Sequence, residues 1–166
     1  MLVLYDSAGE FGHIGEEHAI MLENLLGHFR TEVVLQPVSA YRAGLLGDYD
    51  VTFYIGSTFD EPEKRQESGD QQAYDNYQLF LDDTAASDTT FVWMNHNIKR
   101  LVERAGGSGQ FIARYGFLPE GIDNERKYNR VEYKGVELYK GVVVHANPGA
   151  SLKGCVKGEG WSEENG

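Results

Sequence analysis

Three short apolar runs, Leu2-Val3-Leu4-Tyr5, Val51-Thr52-Phe53-Tyr54-Ile55-Gly56 and Thr89-Thr90-Phe91-Val92-Trp93-Met94, each stop at small or polar residues. This recurrence constrains the chain more than any other feature. Short runs with little polar alternation suit strands covered on both faces, and strands separated by helices pair in parallel. The first run is followed by Glu16 to Phe29, which sets Ala19, Leu22, Leu25, Leu26 and Phe29 at helical spacing. Glu16 and Glu17 then fall near the positive end of that helix's dipole. Thr31 to Val38 reads as another strand, and Ser39 to Asp50 as one loose helical turn. Tyr77 to Ala86 reads as a helix through Leu79, Phe80 and Leu81, and Ile98 to Ala105 as a further one. Asp60 to Asp75 is nearly devoid of apolar residues, so it is expected at the surface as an exposed insertion. Together these elements predict an α/β fold with a doubly wound, mainly parallel sheet.

The C-terminal third changes character. Arg130-Val131-Glu132-Tyr133 and Val136-Glu137-Leu138-Tyr139 alternate around Lys134-Gly135, which is the signal of a β-hairpin, and Val142 to His145 reads as one more strand. From Asn147 onward Gly, Lys and Glu dominate. The expected organisation is one α/β domain over residues 1–146, hairpin included. A Gly-rich tail over 147–166 follows, an ending expected of a piece of a longer protein. The chain's 166 residues, 41% of them hydrophobic, suffice for one core.

Charge and composition narrow the partners. With 26 acidic against 15 basic side chains the net charge is -11, which opposes nucleic acid, whose phosphates require clustered Lys and Arg. No run approaches the roughly 18 apolar residues of a membrane span, and Leu2 to Tyr5 is too short for the core of a signal peptide. Cys155 is the single cysteine. It excludes an internal disulfide and a multi-cysteine zinc site, and leaves the compartment open.

Open parallel sheets gather ligands at the carboxyl ends of their strands. The segments just past each strand are therefore the candidates. Past the first lies Asp6-Ser7-Ala8-Gly9-Glu10, leading through Gly12 and Gly15 toward a helix. A glycine loop at a helix start can wrap phosphate, but this spacing matches neither the dinucleotide fingerprint nor the P-loop, and Glu10, Glu16 and Glu17 repel an anion. Past the third lies Gly56-Ser57-Thr58-Phe59-Asp60-Glu61. Its hydroxyls and carboxylates, with Asp6, Ser7 and Glu10, suit a sugar or a cation held by oxygen ligands. The same residue types also serve routinely as caps and turns.

The fourth strand passes into a helix through Trp93-Met94-Asn95-His96-Asn97-Ile98, in the manner of a nucleophile elbow. Its central residue is Asn95, and a carboxamide is not a useful nucleophile near neutral pH. His96 has the chemistry of an acid or base, although a lone histidine more often only hydrogen-bonds. His13 and His18 straddle the loop-helix junction near Glu17, but no metal site is expected there. Tyr115, Tyr128, Tyr133 and Tyr139 offer an aromatic surface that either stacks on sugar rings or seals a sheet face.

The strand, elbow and helix around Asn95 resemble the class I glutamine amidotransferase-like group, in which a cysteine stands at the elbow. A second resemblance covers most of the chain to about residue 140. Val3-Leu4-Tyr5-Asp6, Leu25-Leu26-Gly27-His28-Phe29, Pro37-Val38-Ser39-Ala40-Tyr41, Tyr54 to Pro62, Trp93 to Ile98 and Tyr133-Lys134-Gly135 are similar to the N-terminal region of a bacterial family of uncharacterised polysaccharide-deacetylase-like proteins. That resemblance implies a flavodoxin-like or amidotransferase-like domain, followed by a C-terminal deacetylase-like domain, in a protein exported to the cell envelope. Glu63 to Tyr77 departs from it as an insertion. The deacetylase signature of an Asp-Asp pair with a downstream His-x-x-x-His is missing, because Asp82-Asp83 lies on an expected helix and no two histidines stand at that spacing.

Three functions follow as expectations. The first is a non-catalytic accessory domain that binds a carbohydrate or small polar ligand through Asp6, Ser7, Glu10, Ser57, Thr58, Asp60, Glu61, Asn95, His96 and Asn97, without cofactor or metal. The second is a hydrolase acting through Asp6, Glu61 or His96. The third is a flavin or nucleotide binder using the glycine loop.

Overall fold

The computed structural model describes residues 1–9, 12–56, 69–119, 122–123, 130–133, 136–140, 151–152 and 155–157, with side chains through residue 116 and at 136 and 137. The chain divides into two compact units, Met1–Arg104 and Ala105–Gly166.

The first unit holds β1 (Leu2–Tyr5), α1 (Gly12–Leu26), β2 (Val34–Pro37), β3 (Val51–Gly56), α2 (Gln71–Ala86), β4 (Thr90–Asn95) and α3 (Ile98–Arg104). Its four strands form one sheet in the order β2-β1-β3-β4, and every pair is parallel. Alternate residues of a strand point to opposite faces, and both faces are covered. Leu2 and Leu4 of β1 and Tyr54 of β3 pack with Tyr77, Phe80 and Leu81 of α2. Val3, Tyr5 and Ile55 pack with Ala19 and Leu26 of α1. Helices on both faces of a parallel sheet in this order make a flavodoxin-like doubly wound fold.

Several boundaries differ from the sequence expectation, each for a local reason. α1 begins at Gly12 rather than Glu16, so no acidic residue lies in its first turn. Gly12 and Gly15 are not turn residues but are buried on the inner face of the helix. Leu25 and Phe29, expected in the core, are exposed. Gly12, Gly15, Ala19, Leu22 and Leu26 repeat at three- and four-residue steps and take the inner face, and Leu25 falls off that stripe. β2 is only Val34–Pro37. Two 3-10 turns, Val38–Ala40 and Leu45–Asp48, replace the single loose turn.

α2 starts six residues before the expected Tyr77, because the largely polar stretch Gln71 to Asn76 forms its first turns. Asp70 caps it, accepting the Ala73 N–H at 3.0 Å. Gln71 then bonds Asp75 and Gln72 bonds Asn76, each across one helical turn. Leu79 is exposed, and Tyr77, Phe80, Leu81 and Thr84 form the buried stripe. Residues 60–68 of the expected insertion lie outside the described residues, as do 57–59 before it.

The second unit holds α4 (Ser108–Tyr115), β5 (Phe117–Pro119), β6 (Ile122–Asp123), β7 (Arg130–Tyr133), β8 (Val136–Lys140), β9 (Ser151–Leu152) and β10 (Cys155–Lys157). α4 lies between Gly107 and Gly116, both at positive φ, and its Phe111 ring packs tilted against Tyr115 at 4.5 Å between centroids. β5 pairs antiparallel with β10, and β6 with β9, so two short strands lie within the stretch read as a tail. β7 and β8 pair antiparallel with an irregularity at Val131/Glu132. The Lys134-Gly135 turn, Val142 to His145 and Tyr128 lie outside the described residues. Among the described residues no helix is long and apolar enough to cross a membrane.

Candidate functional site

The strand order places the reversal of connection between β1 and β3, and the chain just past these strands is where the fold concentrates ligand contacts. At the end of β1, Asp6 extends the ladder by one residue, its N–H donating to the Ile55 carbonyl at 2.9 Å. Its carboxylate turns back to accept the Ala8 N–H at 3.0 Å, an Asx turn that bends the chain off the sheet. Asp6 is wholly buried. Burying a carboxylate is costly without compensating donors, so the loop is built around it.

The loop closes tightly on the helix. Gly12 donates its N–H to the Gly9 carbonyl at 3.2 Å, and a Cβ on Gly12 would sit 2.1 Å from the Ser7 carbonyl oxygen. Only glycine fits there. The glycine pattern that suggested a phosphate cradle thus has an internal cause at this position, the seating of α1 on the Ser7 backbone. Nearby, the partly buried Tyr5 hydroxyl donates toward Glu16 at 3.4 Å; burial, and then the Glu16 charge, raise its pKa.

The second part of the site is the corner between β4 and α3. Asn95 (φ 66°) and Asn97 (φ 73°) both adopt the left-handed conformation, which asparagine tolerates better than most residues. They swing the chain from strand to helix within two residues. The corner rests on Gly56, where a Cβ would come within 2.7 Å of the His96 carbonyl oxygen. Trp93 fastens it from below, its indole N–H donating to that same carbonyl at 2.7 Å. Asn97 accepts the Arg100 N–H at 2.9 Å and starts α3.

Asn95 is exposed, and its amide nitrogen lies 3.5 Å from Nδ1 of His18, which α1 supplies. His96 is half-buried, and that burial lowers its pKa from the ordinary 6.5, so the imidazole is neutral at pH 7.

The register shows what the fold brings together. Gly56 pairs with Asn95, and Asp6 stands one strand to the other side, level with Gly56. Two strand spacings separate the Asp6 and Asn95 backbones across the sheet, roughly 10 Å. Of the residues expected from sequence, Asp6, Ser7, Asn95, His96 and Asn97 lie along this carboxyl edge. Glu10, Ser57, Thr58, Asp60 and Glu61 lie outside the described residues. The sequence set His18 beside His13 and Glu17 and Gly56 at the head of the third strand's loop, but not their contacts with the Asn95 corner, which join distant segments.

Other sequence candidates have structural roles. Asp83 accepts the Tyr41 hydroxyl and the Gly44 N–H, both at 2.6 Å, and Asp82 pairs with Arg104 at 3.2 Å. The Asp-Asp pair therefore ties loops and helices to α2. His13, Glu17 and His18 are all exposed, and among the described residues no three His, Cys, Asp or Glu side chains gather to hold a metal ion.

The arrangement is a flavodoxin-like domain whose strand-to-helix corner presents a carboxamide to solvent. Compared with models of protein families, with curated proteins and with solved structures, the chain gives no match.

Proposed function

We propose that the chain is a non-catalytic binding domain for a small polar ligand, a carbohydrate foremost, held along the carboxyl edge of β1, β3 and β4. In this reading it is the accessory domain of a polysaccharide-deacetylase-like protein of the bacterial cell envelope, as its sequence resemblance implies. The observation that carries the proposal is Asn95. It occupies the corner that would lift a nucleophile above the sheet, it is exposed there, and a carboxamide both donates and accepts hydrogen bonds without attacking a carbonyl. The neutral imidazole of His96 adds a group of the same double character, and the His18 ring lies beside Asn95. Such a set suits hydroxyl and acetamido groups better than phosphate.

The test is a thermal-shift series with acetylated and deacetylated amino-sugar oligomers, divalent cations and flavin. Asn95→Gly is the informative variant, since it removes the amide while tolerating positive φ. A sugar oligomer at about 100 times its Kd adds roughly 2.7 kcal/mol to the stability of the wild type, and the gain shrinks in Asn95→Gly. Stabilisation by flavin alone moves the reading to the glycine loop. No stabilisation by any sugar removes the proposal.

A further inference from the structure

On the flank of the first unit, α2 and α3 border an open cleft of about 240 Å³ lined by Tyr74, Gln78, Leu81, Arg100, Glu103 and Arg104. Tyr74, Gln78 and Leu81 are spaced to share one face of α2, and Arg100, Glu103 and Arg104 to share one face of α3. The lining is therefore set by two helices rather than by loops. Leu81 is buried and forms an apolar floor, with the half-buried Tyr74 beside it. Arg104 is held by Asp82 through Nε at 3.2 Å and by Gln78 through Nη2, which fixes the plane of a guanidinium carrying five N–H donors. Arg100 pairs with Glu103 at 3.3 Å.

The charges decide what this cleft accepts. An anion is drawn by the two guanidinium groups but opposed by Glu103 within the lining and Asp82 just behind it. A cation meets the opposite conflict. A neutral molecule with several hydroxyls satisfies both sets at once, each hydroxyl accepting from a guanidinium and donating to a carboxylate or the Gln78 amide oxygen. The volume is below the roughly 300 Å³ at which drug-sized ligand pockets begin, so one small ring is the fitting size.

We infer that the α2–α3 cleft is a binding site for a single small, neutral, polyhydroxylated ring, its C–H face against Tyr74. The lining of this site shares no residue with the carboxyl edge, although the Arg100 N–H bonds the Asn97 carbonyl at the corner.

Amide spectra of the nitrogen-15-labelled protein, titrated separately with glucose and with inorganic phosphate, test it. Glucose shifts the amides of Tyr74, Gln78, Glu103 and Arg104 saturably, with a Kd in the millimolar range expected for so small a ligand. Tyr74→Ala weakens this at least several-fold, whereas Glu23→Gln on α1 does not. Glu103→Ala, an exposed substitution, keeps the test valid if Tyr74→Ala does not fold: glucose weakens and phosphate tightens. Absence of saturable glucose shifts at these residues, or stronger binding of phosphate than glucose by the wild type, overturns the inference. The same spectra read Asp6 and Asn95 independently, so failure at the cleft is distinguishable from failure at the carboxyl edge.

Discussion

The two faces of the sheet are built from different material. Under α2 the core is aromatic: Phe80 lies within 6.0 Å, centroid to centroid, of the rings of Tyr41, Tyr54, Tyr77, Phe91 and Trp93. Under α1 the buried set is Val3, Tyr5, Ala19, Leu26 and Ile55, with Leu22, Leu35 and Phe53 at its margin. α1 also carries apolar residues outward, with Met21 at 68% and Leu25 at 59% exposure. The contrast teaches that helices of similar apolar content seal a sheet in different ways. α2 does it with large interlocked rings, and α1 by coming close, through glycine and alanine at its inner face.

The largest effect that sharpens this contrast is expected at Phe80. Phe80→Ala removes the central ring of the α2 face and should cost about 4 kcal/mol, read by urea denaturation. Gly12→Ala attacks the other face by steric means. Its Cβ meets the Ser7 backbone, so a loss of about 3 kcal/mol is expected, with altered exchange of the Ala8 amide. A loss below 0.5 kcal/mol would show that α1 is not held by close approach.

Asp83→Ala leaves the buried Tyr41 hydroxyl and the Gly44 N–H without their acceptor and should cost about 2 kcal/mol. Smaller is the contribution of His96. Its folded pKa lies below the ordinary 6.5, so the unfolded chain binds the proton more readily. Stability should therefore fall as pH drops below 6.5, and His96→Gln should flatten that part of the denaturation profile. At the small end, Leu25→Gln on the outer face of α1 should change stability by less than about 0.5 kcal/mol. A loss comparable to Phe80→Ala would erase the distinction between inner and outer faces.

How much of this was legible in the sequence follows the same division. β1 and β3 were read to the residue, because their apolar runs stop at Asp6 and at Gly56. α3 was placed to within one residue. The start of α1 was not, since Gly12 and Gly15 look like turn residues until the Ser7 carbonyl that excludes a Cβ is in view. The start of α2 was hidden by Asp70 to Asn76, whose polarity is that of a capped, solvent-facing first turn. For the site, Asp6 and Asn95 could be named from topology alone, because the carboxyl ends of parallel strands are fixed by strand order. The contact of His18 with Asn95 spans 77 residues and leaves no mark in either segment.

One bond described above gives the molecule its own optical gauge. The indole of Trp93 belongs to the ring cluster under α2, yet its N–H ends on the carbonyl of His96 at the corner. Any event that displaces the corner alters the hydrogen bond of a chromophore whose other side is clamped against Tyr54 and Phe80. The chain's other tryptophan is Trp161, so in a Trp161→Phe background emission reports on this one bond. Displacement of the corner then becomes visible as colour and intensity, without a label.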